Sequence, residues 1–308
     1  MKFSIAPHYQ VRHAVEAAPQ PMRDVLLQAD QLEGYAQELA RAHVVTRNMR
    51  HSHRLLVRLE ADYRALSAAQ RTITRWVHDR VPLCRSVEWL LDNAYIIHGQ
   101  VRDIRRNMPS GFYRELPKLV TPELRGYPRV YGIAIQLISH TDGRLDEEHL
   151  LSFMRGYQAE TTLSSGELWA LPIMAQIALV QNLQRLTQQI VDGQQHRAQA
   201  DRWANHIFDE ASKDPRQLDA IVARHDHLLG PLDPVFAVHL LQRFLDQGPA
   251  ATPLLRWLDD RLARQGMSFD DVTRITHGNE AANLVSVGNC ITSLRFIADF
   301  DWAEFFER

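Results

Sequence analysis

Apolar residues recur at steps of three and four along most of the chain, and convincing strand alternation is almost nowhere. The clearest stripe follows Pro82, where Val87, Leu90, Ala94, Ile97, Val101 and Ile104 share one helical face. Glu88, Asp92, Arg102 and Arg106 fall on the opposite face. Leu55, Leu59, Tyr63 and Leu66 predict an earlier helix, and Ile173, Ile177, Val180, Leu183 and Ile190 predict a long later one. Further helices are expected near 23–42, 129–140, 146–158, 195–211, 216–227, 234–246, 252–264 and 269–297. The expected fold class is all-α: a multi-helix, bundle-like array with neighbours joined by short turns.

Residues 109 to 128, PSGFYRELPKLVTPELRGYP, interrupt the pattern, because four prolines and two glycines break any helix through them. A long irregular loop is expected there, and loops of that length inside compact domains are often functional. The organisation predicted is an N-terminal helical segment (1–80), a central helical core (81–213) and a C-terminal helical segment (214–308), or one continuous domain.

Composition narrows the class. Apolar residues make up 45% and charged residues 23% of the 308 positions, as in an ordinary globular protein. Basic and acidic residues, 35 against 37, nearly cancel, so the chain gives no electrostatic argument for nucleic acid. Cys84 and Cys290 form no C-x-x-C pattern and read as reduced thiols of a cytoplasmic protein. The opening MKFSIAPHYQVRH lacks the apolar core of a secretory signal, and no run of about 18 apolar residues is present to span a membrane.

Candidate chemistry has a plain alternative in each case. QADRW (199 to 203) matches the Q-x-x-R-W pattern of processive glycosyltransferases, yet no aspartate pair on a nucleotide-binding sheet precedes it. Coincidence within a helix is the better reading. The 15 histidines invite a metal, but His51/His53 and His225/His227 are spaced i, i+2, which points helical rings apart. No metal site and no cofactor is predicted. HTDGRLDEEH (140 to 149) reads as an Asp142–Gly143 turn before a helix with an acidic first turn, rather than as a calcium loop. In SSGELWALP, Ser164 and Glu167 fit a capping box, while Glu167 beside Trp169 also fits a sugar contact, since indole stacks on a pyranose and carboxylates hold hydroxyls. Tyr113, Arg114, Glu115 and Lys118 in the irregular segment, with Arg129 and Tyr131 just after it, are the other candidate substrate-binding residues. The leading alternative is a clamp in which these arginines and tyrosines tie the loop onto helices, with Pro128 starting a helix and Arg129 paired to a carboxylate. No nucleophile–base pair emerges, so no catalytic residue is assigned.

Read in order, VEWLLDN (87 to 93), GFYRELPKL (111 to 119), GYPRVYGIA (126 to 134), HTDGRLDEE (140 to 148), GELWALPIM (166 to 174), VQNLQRL (180 to 186), NLVSVGNCITSLR (283 to 295) and DWAEFFER (301 to 308) resemble the N-terminal region of bacterial cyclic β-1,2-glucan synthases. The likeness is collinear over roughly residues 25 to 308, with Ala94 and His98 departing from the expected family residues. Those synthases are large inner-membrane enzymes whose UDP-glucose-dependent transferase signature lies downstream of this region. The resemblance implies a noncatalytic module that packs on or positions the transferase, on the cytoplasmic side of the inner membrane. Implied partners are the transferase, the other synthase modules and β-1,2-glucan itself. The alternatives are a stand-alone carbohydrate-binding or hydrolytic helical domain and a protein–protein scaffold. The chain reads as an excised piece, a truncated gene or a stand-alone relative.

Overall fold

The computed structural model describes residues 24–47, 54–212, 218–226 and 229–307. Among these residues it is an all-α protein of thirteen helices, 80% helical, with one two-stranded ribbon. Helices α1 (Ala29–Ala42), α2 (Arg54–His78), α3 (Arg85–Asp92) and α4 (Ala94–Asn107) precede the irregular region. That region carries α5 (Ser110–Glu115), and α6 (Arg129–His140), α7 (Glu147–Glu160) and α8 (Ser165–Ala211) follow it. The chain continues as α9 (Leu218–Asp226), α10 (Pro234–Leu245), α11 (Thr252–Ala263), α12 (Phe269–Asp299) and α13 (Trp302–Glu307).

The stripe after Pro82 is buried as expected, but Asn93 divides it between α3 and α4. Its side-chain amide donates to the Trp89 carbonyl at 2.8 Å, the local competition that lets asparagine end a helix. Conversely, two helices expected near 173–190 and 195–211 are one, the 47-residue α8, about 70 Å long. A capping box between Ser164 and Glu167 starts it, and it runs through Pro172. Helix α1 begins at Ala29 rather than near 23. The preceding residues instead send the Asp24 and Leu27 amides to the Ser139 and His140 carbonyls, capping the end of α6.

Two hydrophobic cores result. The first gathers α1 to α7, most of α8, the second half of α12 and α13; the second gathers the end of α8, α9 to α11 and the start of α12. Helices α8 and α12 therefore run through both. At Gly156 in α7 an added Cβ would meet the Glu33 carbonyl oxygen of α1 at 2.1 Å, so only glycine allows this approach. The Asp142–Gly143 turn joins α6 to α7 with φ of 51° and 76°, backbone that favours glycine at the second position. Helix α12 holds it: Ser286 Oγ donates to Asp142 Oδ1 at 2.6 Å and Ser293 Oγ to the Gly143 carbonyl at 2.7 Å. Asp146 then caps α7, ahead of Glu147 and Glu148 in its first turn. The acidic stretch is thus a turn and a helix start.

Candidate functional site

The irregular segment 109–128 is shorter in structureless chain than its prolines suggest. It contains the six-residue α5, a two-residue strand β2 (Lys118–Leu119) and a 3₁₀ turn at Pro122–Leu124. Strand β2 pairs antiparallel with β1 (Val45–Thr46), Val45 facing Leu119 and Thr46 facing Lys118. Gly126, at φ 86°, turns the chain so that its own amide reaches the Leu119 carbonyl and the Leu119 amide reaches that of Tyr127. The Arg129 amide, an orphan at the start of α6, donates to the Pro117 carbonyl at 2.9 Å. Backbone pairing thereby delivers Lys118 and Arg129 to the interior.

Arg129 opens α6 after Pro128, and Glu167 sits in the first turn of α8. The guanidinium grips the carboxylate with two bonds of 2.7 Å, and both side chains are more than nine-tenths buried. Glu167 Oε2 also accepts from the Ser164 amide at 3.0 Å and from Ser164 Oγ at 2.9 Å. One carboxylate therefore closes the capping box and neutralises the buried arginine. Burial pushes the Glu167 carboxyl up, but Arg129 and Ser164 together hold it below the ordinary carboxylate range. A further bond from Arg129 Nη2 to the Thr162 carbonyl, 3.3 Å, draws in the end of α7.

Lys118 is 2% exposed, and its partners are backbone and a ring rather than a carboxylate. Its Nζ donates to the Tyr113 carbonyl at 2.5 Å and lies 3.9 Å from the centre of the Tyr113 ring. Burial brings the amine down to about 8. Tyr113 and Tyr131 are fully buried, and the Tyr131 hydroxyl donates to Gln181 Oε1 at 2.5 Å, whose amide donates to Asp62 at 3.1 Å. Beside them, His43 shares a 2.8 Å hydrogen bond with the Tyr157 hydroxyl; burial first, then the Arg129 charge, lowers its imidazole to about 4. Five of the eight candidates, Tyr113, Lys118, Arg129, Tyr131 and Glu167, are thus interior side chains with interior partners.

The other three face solvent. Arg114 and Glu115 are exposed on α5, and Arg114 Nε reaches only its own helix, the Ser110 carbonyl, at 3.2 Å. Trp169 is 56% exposed on α8, its ring edge-on to Phe306 of α13 at 5.9 Å. No aromatic platform joins Trp169 to Tyr113 or Tyr131, since those rings offer no face to solvent. A pocket of about 350 Å³, counting its solvent-open part, lies elsewhere, between α2, α3, α4 and α8. Its polar wall includes His98, hydrogen-bonded to Tyr63 at 2.9 Å and Gln70 at 2.8 Å. QADRW lies inside α8 and serves packing: Trp203 stacks on Trp257 at 4.9 Å, and Asp201 accepts from His239 at 2.9 Å.

Sequence spacing paired His225 with His227, a residue outside those described. In three dimensions His225 instead meets His206 and Glu210, potential metal ligands brought together from α8 and α9. Only the i, i+4 spacing of His206 and Glu210 was visible beforehand; the crossing of the two helices was not.

No family model matches the chain. It is 30% identical over 224 residues to the cyclic β-(1,2)-glucan synthase NdvB of Rhizobium meliloti (strain 1021), an alignment covering 72% of this chain and 8% of that protein. This chain therefore spans a small part of the relative's length, and its motifs do resemble the N-terminal region of the cyclic β-1,2-glucan synthases.

Proposed function

We propose that the chain is a noncatalytic helical module of a cyclic β-1,2-glucan synthase, supporting UDP-glucose-dependent glucan synthesis by packing on or positioning the transferase. The similarity over 224 residues to the Rhizobium meliloti synthase carries this reading. The internal use of the candidate residues supports it. Lys118 bonds the Tyr113 carbonyl, Arg129 and Glu167 bond each other and nearby backbone, and Tyr131 bonds the Gln181 side chain. None is left as an acid, base or nucleophile facing solvent. Such a module works at the cytoplasmic side of the inner membrane, next to the membrane-embedded transferase. No helix among the described residues is long and apolar enough to cross a membrane.

A second reading, a glucan contact, has one observation in its favour: the exposed indole of Trp169 beside Phe306. A segment exchange separates these readings. Removing the matched segment from the Rhizobium meliloti synthase is expected to abolish cyclic glucan, and inserting residues 25 to 308 of this chain is expected to restore it. Trp169→Ala in the exchanged segment should leave output unchanged. Full glucan synthesis by the deleted enzyme, or transfer of labelled glucose from UDP-glucose by the present chain alone, would refute the noncatalytic supporting role.

A further inference from the structure

The second core carries a cluster outside the interior described above. His206 and Glu210 lie one turn apart on the last part of α8, and His225 approaches from α9. The Nε2 atoms of both rings converge on one oxygen, Glu210 Oε1, at 3.2 Å from His206 and 3.3 Å from His225. The two rings stand edge-to-face, 4.8 Å between centres, and the potential ligand atoms all lie within 4.8 Å of one another.

We propose that His206, Glu210 and His225 bind a zinc-class divalent transition-metal ion. Ligand type argues for that class: two imidazole nitrogens and one carboxylate oxygen suit zinc, cobalt or nickel, whereas magnesium and calcium favour oxygen shells. Ligand spacing argues for the geometry. Nitrogen and oxygen ligands about 2.0–2.2 Å from a tetrahedral ion lie roughly 3.3 Å apart. The observed separations of 3.2 and 3.3 Å already match. In the metal-free state each of these contacts needs a proton on Nε2; an ion placed between the three atoms replaces both protons.

The supporting shell is built as well. Arg224 Nη2 holds the other carboxylate oxygen, Glu210 Oε2, at 3.1 Å, which leaves Oε1 turned to the histidines. Buried Ile207 of α8 and Ile221 and Val222 of α9 belong to one core cluster and fix the helix crossing. The residue after His225 is anchored too: Asp226 accepts from Trp257 Nε1 at 3.0 Å and pairs with Arg261 at 3.3 Å. Three protein ligands leave a fourth position for water, and the half-exposed His206 side chain gives an entry path. The ion would tie the end of α8 to α9.

The test uses the full chain after chelator treatment, titrated with Co²⁺, Zn²⁺ and Mg²⁺. Co²⁺ should give the intense visible bands of a four-coordinate site, Zn²⁺ should displace it at one equivalent, and Mg²⁺ should do neither. His206→Gln and His225→Gln should each weaken the Co²⁺ site by more than about tenfold. His239→Gln, which alters a different histidine–carboxylate pair, should leave it unchanged. Zn²⁺ should raise the melting temperature of the parent chain and not of the two site variants. His206 is exposed, so its variant keeps the fold and stays informative even if His225→Gln does not. Absence of the cobalt bands, equal response to Mg²⁺, or undiminished binding in His206→Gln would each overturn the site.

Discussion

Two charge clusters on opposite parts of this molecule use the same chemistry in different surroundings. In the first core, Arg129 and Glu167 are 6% and 2% exposed and saturated by Ser164, Thr162 and each other. In the second, Arg224 and Glu210 are 63% and 27% exposed, and Glu210 shares its oxygens with two histidines. Burial decides what each can do. A sealed pair has no group to offer a solute and becomes costly to break, whereas a half-open one is cheap to break and can exchange partners.

That contrast sets the size of the mutational effects. Glu167→Leu strands the Arg129 guanidinium inside the first core and is expected to cost about 3–5 kcal/mol in thermal or denaturant unfolding. The double variant Arg129→Met with Glu167→Leu should lose less than the single one, because no buried charge remains. Gly156→Ala should cost about 1–3 kcal/mol, since its Cβ meets backbone of α1 that cannot move aside as a side-chain tip could. Glu210→Gln, measured without metal, should move stability less than either of these single changes, because a solvent-open pair is screened. Smallest of all, Arg114→Ala should stay within about 0.5 kcal/mol.

Acid should separate the two regions further. His43 is lowered to about 4 from its ordinary value near 6.5, so between those values the unfolded chain binds the extra proton. Its contribution is complete above about 6.5 and is lost as pH falls toward 4. Glu167, also lowered, adds a loss below the ordinary carboxylate range. Lys118, lowered to about 8 from 10.5, makes stability rise with pH between those two values. Melting curves from pH 3 to 10 should therefore climb through the acid range, and His43→Gln should flatten the part between pH 4 and 6.5. A pH profile unchanged by His43→Gln would contradict the burial assigned to that ring.

Helices and caps were legible because they are local. The apolar stripe from Val87 to Ile104, the capping box of Ser164 and Glu167, and the Asp142–Gly143 turn each depend on residues a few positions apart. The site was legible only in pieces. Arg129 needing a carboxylate and Glu167 acting as a cap were separate readings, and the fold makes them one contact across 38 positions. Arg114 looked like the clamp because arginine can tie a loop down; in α5 it lies on the outer face, and Lys118 turns inward from β2 instead. Nothing in periodicity separates those two cations, since their fates depend on which backbone edge pairs with β1.

On the function proposed above, the buried polar residues of the 111–131 segment lock the fold rather than hold a substrate. This locking role is tested most directly by measuring Glu167→Leu, Arg129→Met and their double variant side by side, by unfolding and by calorimetric titration with linear β-1,2-glucan at a temperature where all are folded. Glu167→Leu should lose much stability, the double variant should recover part of it, and all should give the same glucan heats as the parent chain. Near-parental stability in both single variants, together with a glucan affinity present in the parent and lost in the variants, would contradict it.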